Sequence, residues 1–456
     1  MSFLLKLFKP APHIAEMEDQ EEVKTTYKYW RIRIMYSMFI GYAFYYFTRK
    51  SYTFAMPGIM AELHLDKSEL GVMGSVFALS YGLSKFISGV MSDQSNPRYF
   101  MAFGLILTGI VNIFFGFSSS LLLFALFWGL NGWFQGFGWP PCVRFLTHWY
   151  SHSERGSWWS ICSVSQNIGA FLIPWIVGLC LHYYGWRAAL YVPGVISIVG
   201  GLFLINRLRD TPQSLGLPPI EKFRNDYINK TAEANEEEKK LSTKELVIGV
   251  LTNRYIWLLA VAYFFVYLVR TGIGEWTSIF LIENKDYSRL GASGTVSLFE
   301  AGGFFGSLSA GWISDRLFQA KRGPVNALFS IALLITITCF WCVPAGYPWL
   351  DSIALFAIGF ATFGPQMLIG VTAAELASKK ASATAVGLIG WIAYLGTASA
   401  GYPLGKLIDS LGWEGFFWAM VSCSFLCISL LLPLWNVTKA TSEERLRRKK
   451  ALAFSA

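Results

Sequence analysis

Two arginines inside strongly apolar stretches, Arg49 and Arg270, are the residues of this chain that point most clearly to chemistry. Each lies roughly 15 residues into its stretch, about 22 Å from the start of a helix that rises 1.5 Å per residue. An ionised side chain so deep in a bilayer is costly, and it indicates a functional site. Because a guanidinium presents a planar fork of donors to anion oxygens, the two arginines predict an anion-binding pair.

Each arginine is preceded by two tyrosines, three and seven positions before it: Tyr46 and Tyr42 in the first half, Tyr267 and Tyr263 in the second. These offsets place the hydroxyl-bearing rings on the helix face of the arginine. A tyrosine belt at a membrane interface is the alternative for a single stripe. Two stripes in register with two arginines favour a lined site.

The composition indicates which elements must position these residues. The chain has 456 residues, of which 54% are hydrophobic and 15% charged, which is typical of a polytopic membrane protein. Apolar runs of about 20 residues begin near positions 34, 70, 98, 121, 157, 188, 254, 294, 324, 349, 383 and 413. We therefore expect an all-α membrane protein with twelve transmembrane helices.

The basic residues of the connections are distributed unequally. The two termini and every second loop hold about 28 Lys and Arg residues, whereas the alternate loops hold about five. This asymmetry predicts a multi-pass protein of the plasma (bacterial inner) membrane with both termini in the cytoplasm. The first thirty residues lack the pattern of a cleaved signal peptide.

The longest connection is polar and rich in proline, with PQSLGLPP and NEEEKK segments, so it divides the helices into six and six. The predicted organisation is a cytoplasmic N-terminus (1–33), an N-terminal six-helix bundle (34–207), a cytoplasmic linker (208–253), a C-terminal six-helix bundle (254–436) and a basic cytoplasmic tail (437–456).

The two halves repeat one another. A Gly-x-x-x-Asp motif runs from Gly89 to Asp93 and again from Gly311 to Asp315, with an offset of 222 residues between the glycines. The two arginines are 221 residues apart. An internal duplication explains both offsets.

These repeats resemble the Gly-x-x-x-Asp signature of the major facilitator superfamily, whose fold is two six-helix bundles around a central path. Four segments are similar to the organophosphate:phosphate antiporters of that superfamily: GYAFYYFTRKSYTFAMP from Gly41, SKFISGVMSDQSNPR from Ser84, FVYLVRTGIGEW from Phe265 and GPQMLIGVTAAELASKKASATAVG from Gly364. The resemblance covers nearly the whole chain. It implies that Arg49 and Arg270 bind phosphate, one from each bundle, and that Asp93 and Asp315 hold interhelical contacts of a conformational gate.

One residue departs from the glycerol-3-phosphate transporters of that family. They carry a histidine in the fifth helix where this chain has Gln166, within WWSICSVSQNIGA. Glutamine donates and accepts hydrogen bonds but does not protonate. The segment looks more like the hexose-phosphate members, which favours a sugar phosphate as substrate.

Other polar residues in apolar runs have two interpretations. Lys85 either lines the site and strengthens its positive field or extends to the headgroups. Four further residues either contact the sugar or pack between helices: Asn131, Gln135, Asn167 and Tyr394. For the charged pairs Arg144 with His148 and Glu154 with Arg155, we expect a solvated loop.

No metal site, cofactor or catalytic residue is predicted, because the seven cysteines form no cluster with histidine and no phosphate loop or His-Glu-x-x-His motif occurs. The basic residues follow the topology, so no nucleic-acid partner is expected. Apart from the lipid bilayer, the expected partners are a sugar phosphate and inorganic phosphate.

Three functions remain. The first is a transporter, and no enzyme, that exchanges a sugar phosphate, glucose 6-phosphate above all, for inorganic phosphate by alternating access. The second is a membrane receptor for external hexose phosphate that acts with a membrane kinase. The third is a glycerol-3-phosphate:phosphate antiporter.

Overall fold

The computed structural model describes residues 8–63, 67–227 and 242–437. Within these ranges the regular structure is helical, and no strand occurs among them. The helices of the first half are α1 (Gln20–Leu63), α2 (Lys67–Asp93), α3 (Pro97–Phe117), α4 (Leu121–Gln135), α5 (Trp139–Trp149), α6 (His152–Arg207) and the short α7 (Ile220–Arg224).

The second half contains α8 (Thr243–Leu251), α9 (Arg254–Lys285), α10 (Arg289–Arg316), α11 (Arg322–Cys342), α12 (Pro348–Leu376), α13 (Ser382–Ser399) and α14 (Tyr402–Leu431). Short 3-10 turns lie at Pro212–Leu215, Lys379–Ala381 and Leu432–Leu434.

Nine stretches of the described residues are long and apolar enough to cross a membrane. They correspond to the predicted spans three to seven and nine to twelve. The remaining spans correspond to α1, α2 and α10, whose mean hydropathy is lower because they contain charged, Tyr, Ser and Gly residues. Together these helices account for the twelve predicted spans.

Two glycines bend long helices at the places where the sequence predicts new spans. Gly185 in α6 has φ +79° and Gly412 in α14 has φ +68°, values that glycine adopts without a steric penalty. Each is followed by a tryptophan that donates its indole N–H to a carboxylate. Trp186 donates to Glu62 at 2.8 Å, and Trp413 donates to Glu283 at 3.0 Å. The internal repeat therefore extends from the sequence to equivalent hydrogen bonds.

The first helix starts earlier than the hydropathy indicates. The apolar run begins near position 34, but α1 begins at Gln20. Its first turn carries Glu21 and Glu22, which interact favourably with the positive end of the helix dipole. The polar residues before the span are good helix formers, so the helix continues beyond the apolar run.

The chain forms two compact units. The first comprises Met1–Ser151, Ile161–Arg224 and Lys379–Trp391, and the second His152–Ser160, Asn225–Ser378 and Ile392–Ala456. An aromatic cluster in the first unit contains Tyr52, Phe115, Phe124 and Trp128. The corresponding cluster in the second unit contains Phe280, Phe340, Phe416 and Phe417.

Close helix packing in the second unit depends on glycine. A Cβ at Gly302 would lie 1.9 Å from the Phe356 carbonyl oxygen, and one at Gly306 would lie 2.1 Å from that of Phe360. No side chain fits at such distances, so α10 and α12 approach through their backbones.

The start of the long connection is part of the first unit. Asp210 accepts a hydrogen bond from the Ala11 backbone N–H at 2.8 Å, and the Trp149 indole donates to its carbonyl at 2.9 Å. Leu217 and Ile220 are fully buried. The segment before α1 and the segment that follows α6 are thus held on the same folded unit.

Candidate functional site

Arg49 lies on α1 with its charged group against aromatic rings. The guanidinium carbon is 4.4 Å from the centre of the Tyr81 ring and 5.1 Å from that of Tyr46. One guanidinium nitrogen lies 3.5 Å from each of the two phenol oxygens. A cation over a ring face is attracted by the ring quadrupole, so the half-buried guanidinium is held in place.

The tyrosines before Arg49 lie next to its guanidinium and connect it to α6 and α5. Tyr46 donates a hydrogen bond to Gln166 Oε1 at 3.1 Å, which brings α1 and α6 together. Tyr42 packs on Tyr46 and on Trp139, with ring centres 5.8 and 5.0 Å apart. Gln166 is thus linked to Arg49 through a single tyrosine.

Lys85 belongs to the same region. Its side chain is 6% exposed, and its ammonium lies 5.6 Å from the centre of the Tyr81 ring that also contacts Arg49. The methylenes run along Gly390, where a Cβ would approach them to 2.8 Å. This burial agrees with a place beside the site and contradicts a side chain that extends to the headgroups. Lys50, the neighbour of Arg49, is exposed.

Arg270 repeats the arrangement on α9 with a different aromatic partner. Its guanidinium carbon lies 4.6 Å from the centre of the Phe363 ring and 5.9 Å from that of Tyr267. The covering ring therefore comes from α12 in the second unit, whereas in the first unit it comes from α2. The side chain is again half-buried.

The tyrosines before Arg270 are buried and connected. Tyr263 donates to the Gln366 carbonyl oxygen at 3.0 Å, and its phenol oxygen lies 3.4 Å from that of Tyr267. The Tyr267 ring contacts the Tyr394 ring, with centres 5.8 Å apart. The structure thus brings Tyr263, Tyr267 and Tyr394 together beside Arg270.

Three predicted amides differ in their surroundings. Asn131 and Gln135 are buried and donate to α1: Asn131 to the Thr48 carbonyl at 3.1 Å and Gln135 to the Tyr45 carbonyl at 3.0 Å. They pack helices together, which is one of the two interpretations that the sequence left open. Asn167 is half-buried, and its side chain makes no hydrogen bond to any residue that the structure describes.

The aspartates of the Gly-x-x-x-Asp motifs bind residues near the starts of helices. Asp93 accepts from the backbone N–H of Ala383 at 3.1 Å and from both the N–H and hydroxyl of Thr384 at 2.7 Å. Asp315 accepts from the N–H of Ser157 at 2.6 Å and from its hydroxyl at 2.7 Å. A carboxylate at a helix N-terminus interacts favourably with the helix dipole, which stabilises the contact of Asp93 with the first turn of α13.

A buried charge network surrounds the second aspartate. Arg322 pairs with Asp315 and forks onto Glu375, with nitrogen to oxygen distances of 3.2 and 3.1 Å. Arg155 lies 3.5 Å from the same glutamate. The prediction of a solvated loop for Arg155 is therefore wrong, since it is 5% exposed.

The same prediction is wrong for Arg144. The side chain is 7% exposed and donates to the carbonyl oxygens of Ser92, Asp93 and Ser95 at 2.9, 3.0 and 2.5 Å. Its other nitrogen pairs with Asp210 at 3.0 Å. The signal was its position in the apolar segment WPPCVRFLTHW, whose burial requires the charge to be paired.

Three residues of the arginine surroundings were not predicted: Tyr81, Phe363 and Gln366. Tyr81 lies four residues before Lys85, one turn away on the same helix face. Phe363 is an apolar residue of a predicted apolar span, so nothing in the sequence distinguished it from its neighbours. Gln366 lies within a segment that carried the family resemblance, but nothing in its spacing indicated a site.

Comparisons with known proteins agree with this architecture. Residues 38–401 match the Major Facilitator Superfamily. A probable hexose phosphate transport protein of Chlamydia pneumoniae is 57% identical over 98% of this chain and 100% of that protein. The membrane sensor protein UhpC of Escherichia coli is 44% identical over 95% and 98% of the two chains.

A glycerol-3-phosphate transporter of Bacillus subtilis is 43% identical over 96% of this chain and 99% of that protein. Among solved structures, the Escherichia coli fucose:proton symporter superposes with a TM-score of 0.69 at 12% identity, covering 88% of this chain and 98% of that one. At that identity the likeness concerns the fold, which is the predicted twelve-helix architecture. The chain is therefore an integral multi-pass membrane transporter that belongs to the Major Facilitator Superfamily, in its family of organophosphate:phosphate antiporters.

Proposed function

We propose that this transporter exchanges a hexose phosphate, glucose 6-phosphate above all, for inorganic phosphate by alternating access. The observation that carries the proposal is the pair of matched arginine faces, Arg49 with Tyr46 and Arg270 with Tyr267, each held against aromatic rings. The high identity to a probable hexose phosphate transport protein supports the choice of substrate.

Arg49 and Arg270 act as the phosphate ligands. A guanidinium donates two parallel charge-assisted hydrogen bonds to an anion such as phosphate, and these bonds are roughly twice as strong as neutral ones. The phosphate group is common to both exchanged substrates. The same two residues therefore serve the inward and the outward half of the cycle.

The coupling is electrostatic in this proposal. Withdrawing water from around the two half-buried guanidiniums costs several kcal/mol. A bound phosphate offsets that cost, so the loaded transporter changes conformation and the empty one does so slowly. This difference makes the exchange obligatory.

Lys85 strengthens the positive field around Arg49, since both cations contact the Tyr81 ring. Gln166 orients Tyr46 through the 3.1 Å hydrogen bond and binds substrate oxygens without carrying a proton. Tyr42, Tyr263, Tyr394 and Asn167 line the path of the substrate.

Asp93 and Asp315 form the conformational gate. Asp93 binds the first turn of α13, and Asp315 binds Ser157 in the second turn of α6, in the conformation described here. Breaking the Asp93 contacts exposes N–H groups of the first turn of α13, which have no intrahelical partner. The two aspartates therefore stabilise the conformation in which their contacts are made.

The distribution of Lys and Arg supports a plasma (bacterial inner) membrane location with both termini cytoplasmic. The polar composition of the longest connection supports the division into bundles 34–207 and 254–436, with the linker 208–253 between them. The N-terminus (1–33) and the tail (437–456) then lie on the cytoplasmic side.

The identity to the sensor UhpC favours one second candidate, a receptor for hexose phosphate that acts with a membrane kinase. The identity to a glycerol-3-phosphate transporter favours a change of substrate within the same mechanism. Both candidates keep the arginine pair, so transport must be measured to separate them.

The test uses purified protein in liposomes loaded with inorganic phosphate. Uptake of labelled glucose 6-phosphate that requires internal phosphate and resists glycerol 3-phosphate supports the proposal. Uptake of glycerol 3-phosphate in preference to the hexose phosphate overturns the substrate. Binding of glucose 6-phosphate without uptake overturns the exchanger and favours the receptor. Liposomes without protein, and liposomes without internal phosphate, are the controls.

A further inference from the structure

Gln366 is a buried amide on α12 whose side chain is incompletely satisfied. The residue is 8% exposed, and its Oε1 has no hydrogen-bond partner among the residues that the structure describes. Buried polar atoms are nearly always paired, since an unpaired one keeps the full cost of leaving water. A ligand hydroxyl or a water molecule can complete the hydrogen bonding of such an atom.

The position of Gln366 places this amide near Arg270. Phe363, whose ring lies 4.6 Å from the Arg270 guanidinium, is three residues earlier on the same helix. Residues three apart share one helix face and are separated by about 4.5 Å along the axis. The amide is therefore about one turn beyond the ring that covers the arginine.

The backbone of Gln366 is fixed to the same tyrosines. Its carbonyl oxygen accepts the Tyr263 hydroxyl at 3.0 Å, and Tyr263 is adjacent to Tyr267. Pro365, directly before it, lies inside α12 and lacks the N–H that would donate to the helical ladder. The contact with Tyr263 thus helps to hold the turn that carries the amide.

The chemistry of this amide matches a hydroxyl group. A carboxamide offers one acceptor and two donors, and a sugar hydroxyl both donates and accepts. A sugar attached to a phosphate bound at Arg270 extends away from the arginine by its own length. An acceptor one helical turn away is suitably placed for a ring hydroxyl.

We infer that Gln366 binds a hydroxyl group of the sugar part of the transported phosphate ester and so distinguishes the sugar phosphate from inorganic phosphate. The inference rests on the proposed exchange function. Inorganic phosphate lacks the sugar, so it does not use this contact.

The test compares Gln366→Leu with the wild type in two assays, phosphate self-exchange and exchange of glucose 6-phosphate for phosphate. The variant keeps a side chain of similar size without polar atoms. Loss of the hydrogen bond should raise the half-saturation concentration for glucose 6-phosphate about tenfold. That for inorganic phosphate should change less than about twofold.

Asn326→Leu is the matched control. Asn326 is also a buried amide whose Oδ1 lacks a partner in the described part of the chain, but it lies on α11 and donates to Thr372 at 3.3 Å. Thr372 is six residues beyond Gln366, about 9 Å along α12. This control should leave the ratio of the two half-saturation concentrations unchanged, and an equal shift in both variants would overturn the inference.

A series of deoxyglucose 6-phosphates, each lacking one hydroxyl, identifies the contact. With the wild type, one analogue should bind about tenfold more weakly than glucose 6-phosphate, and Gln366→Leu should abolish that difference. Gln366→Met provides a second variant if the leucine variant does not fold. If no analogue loses affinity in the wild type, the inference is refuted.

These outcomes separate the inference from the function on which it rests. A wild type without phosphate or glucose 6-phosphate exchange refutes the proposed function itself. A wild type that exchanges both, together with Gln366 variants of unchanged sugar affinity, refutes the role of Gln366 alone.

Discussion

Replacement of Arg270 by lysine tests the phosphate site most directly, because the change keeps the charge and removes the fork. The guanidinium carbon lies 4.6 Å from the Phe363 ring centre, and an ammonium can retain that contact with the ring. A compact ammonium does not reproduce the paired donors of arginine. The expected loss is one of two charge-assisted hydrogen bonds to the phosphate.

A hydrogen bond to a charged group contributes about 1.5–3 kcal/mol. Since about 1.4 kcal/mol corresponds to a factor of ten, Arg270→Lys should weaken phosphate binding about 10- to 150-fold. Inorganic phosphate and glucose 6-phosphate carry the same group, so both should be affected by a similar factor. Arg49→Lys should give a loss of the same order, since Tyr81 covers Arg49 as Phe363 covers Arg270.

The assay is exchange in proteoliposomes, with half-saturation concentrations measured for both substrates at equal amounts of inserted protein. Arg98→Lys is the control, because Arg98 also lies over a tyrosine, 4.9 Å from the centre of the Tyr99 ring, but at the start of α3. Near-normal exchange in both Arg49→Lys and Arg270→Lys would refute the reasoning. A loss confined to the sugar phosphate would show that the arginines bind the sugar instead.

Three further predictions concern the surroundings of the site and the gate. Asp93→Asn and Asp315→Asn should each weaken the contact of the carboxylate with the start of a helix by about 0.3–2 kcal/mol. Engineered cysteines that become accessible should then be labelled to a greater extent. Unchanged labelling in both variants would contradict a gating role. Lys85→Met keeps the buried methylenes and removes the charge. The half-saturation concentration for phosphate should therefore rise and become less sensitive to salt. An unchanged salt dependence would show that Lys85 does not contribute to the phosphate site. Trp413→Phe should remove the 3.0 Å hydrogen bond to Glu283 and lower the free energy of unfolding by about 0.5–3 kcal/mol. Thermal unfolding in detergent measures this change. An unchanged stability would indicate that water replaces the indole N–H.

The sequence predicted the parts of the fold and site that depend on periodicity and burial cost. Arg49 and Arg270 stood out because a charge in an apolar run is conspicuous, and their tyrosines followed from helical spacing. Gly185 and Gly412 preceded the spans that the sequence separated, and the structure places positive φ angles there.

The remaining features depend on contacts between distant segments. The sequence predicts a loop around Arg144, because its neighbours along the chain do not reveal the pairing with Asp210, which lies 66 residues later. The sequence does not single out Gln366, because the missing hydrogen-bond partner of its side-chain oxygen can be recognised only when the neighbours of the amide are known. The aromatic partners Tyr81 and Phe363 likewise depend on which helices adjoin each arginine.

The burial of Asp210 in the first unit determines where the polypeptide can be divided. Hydropathy alone would end the first half at Arg207, the last residue of α6. A fragment cut there would lose the carboxylate that binds Arg144 and the Ala11 backbone, and would expose the cavity left by Leu217 and Ile220. Two separately expressed halves should therefore reassemble when the first half extends through Arg224, and fail when it stops at Arg207.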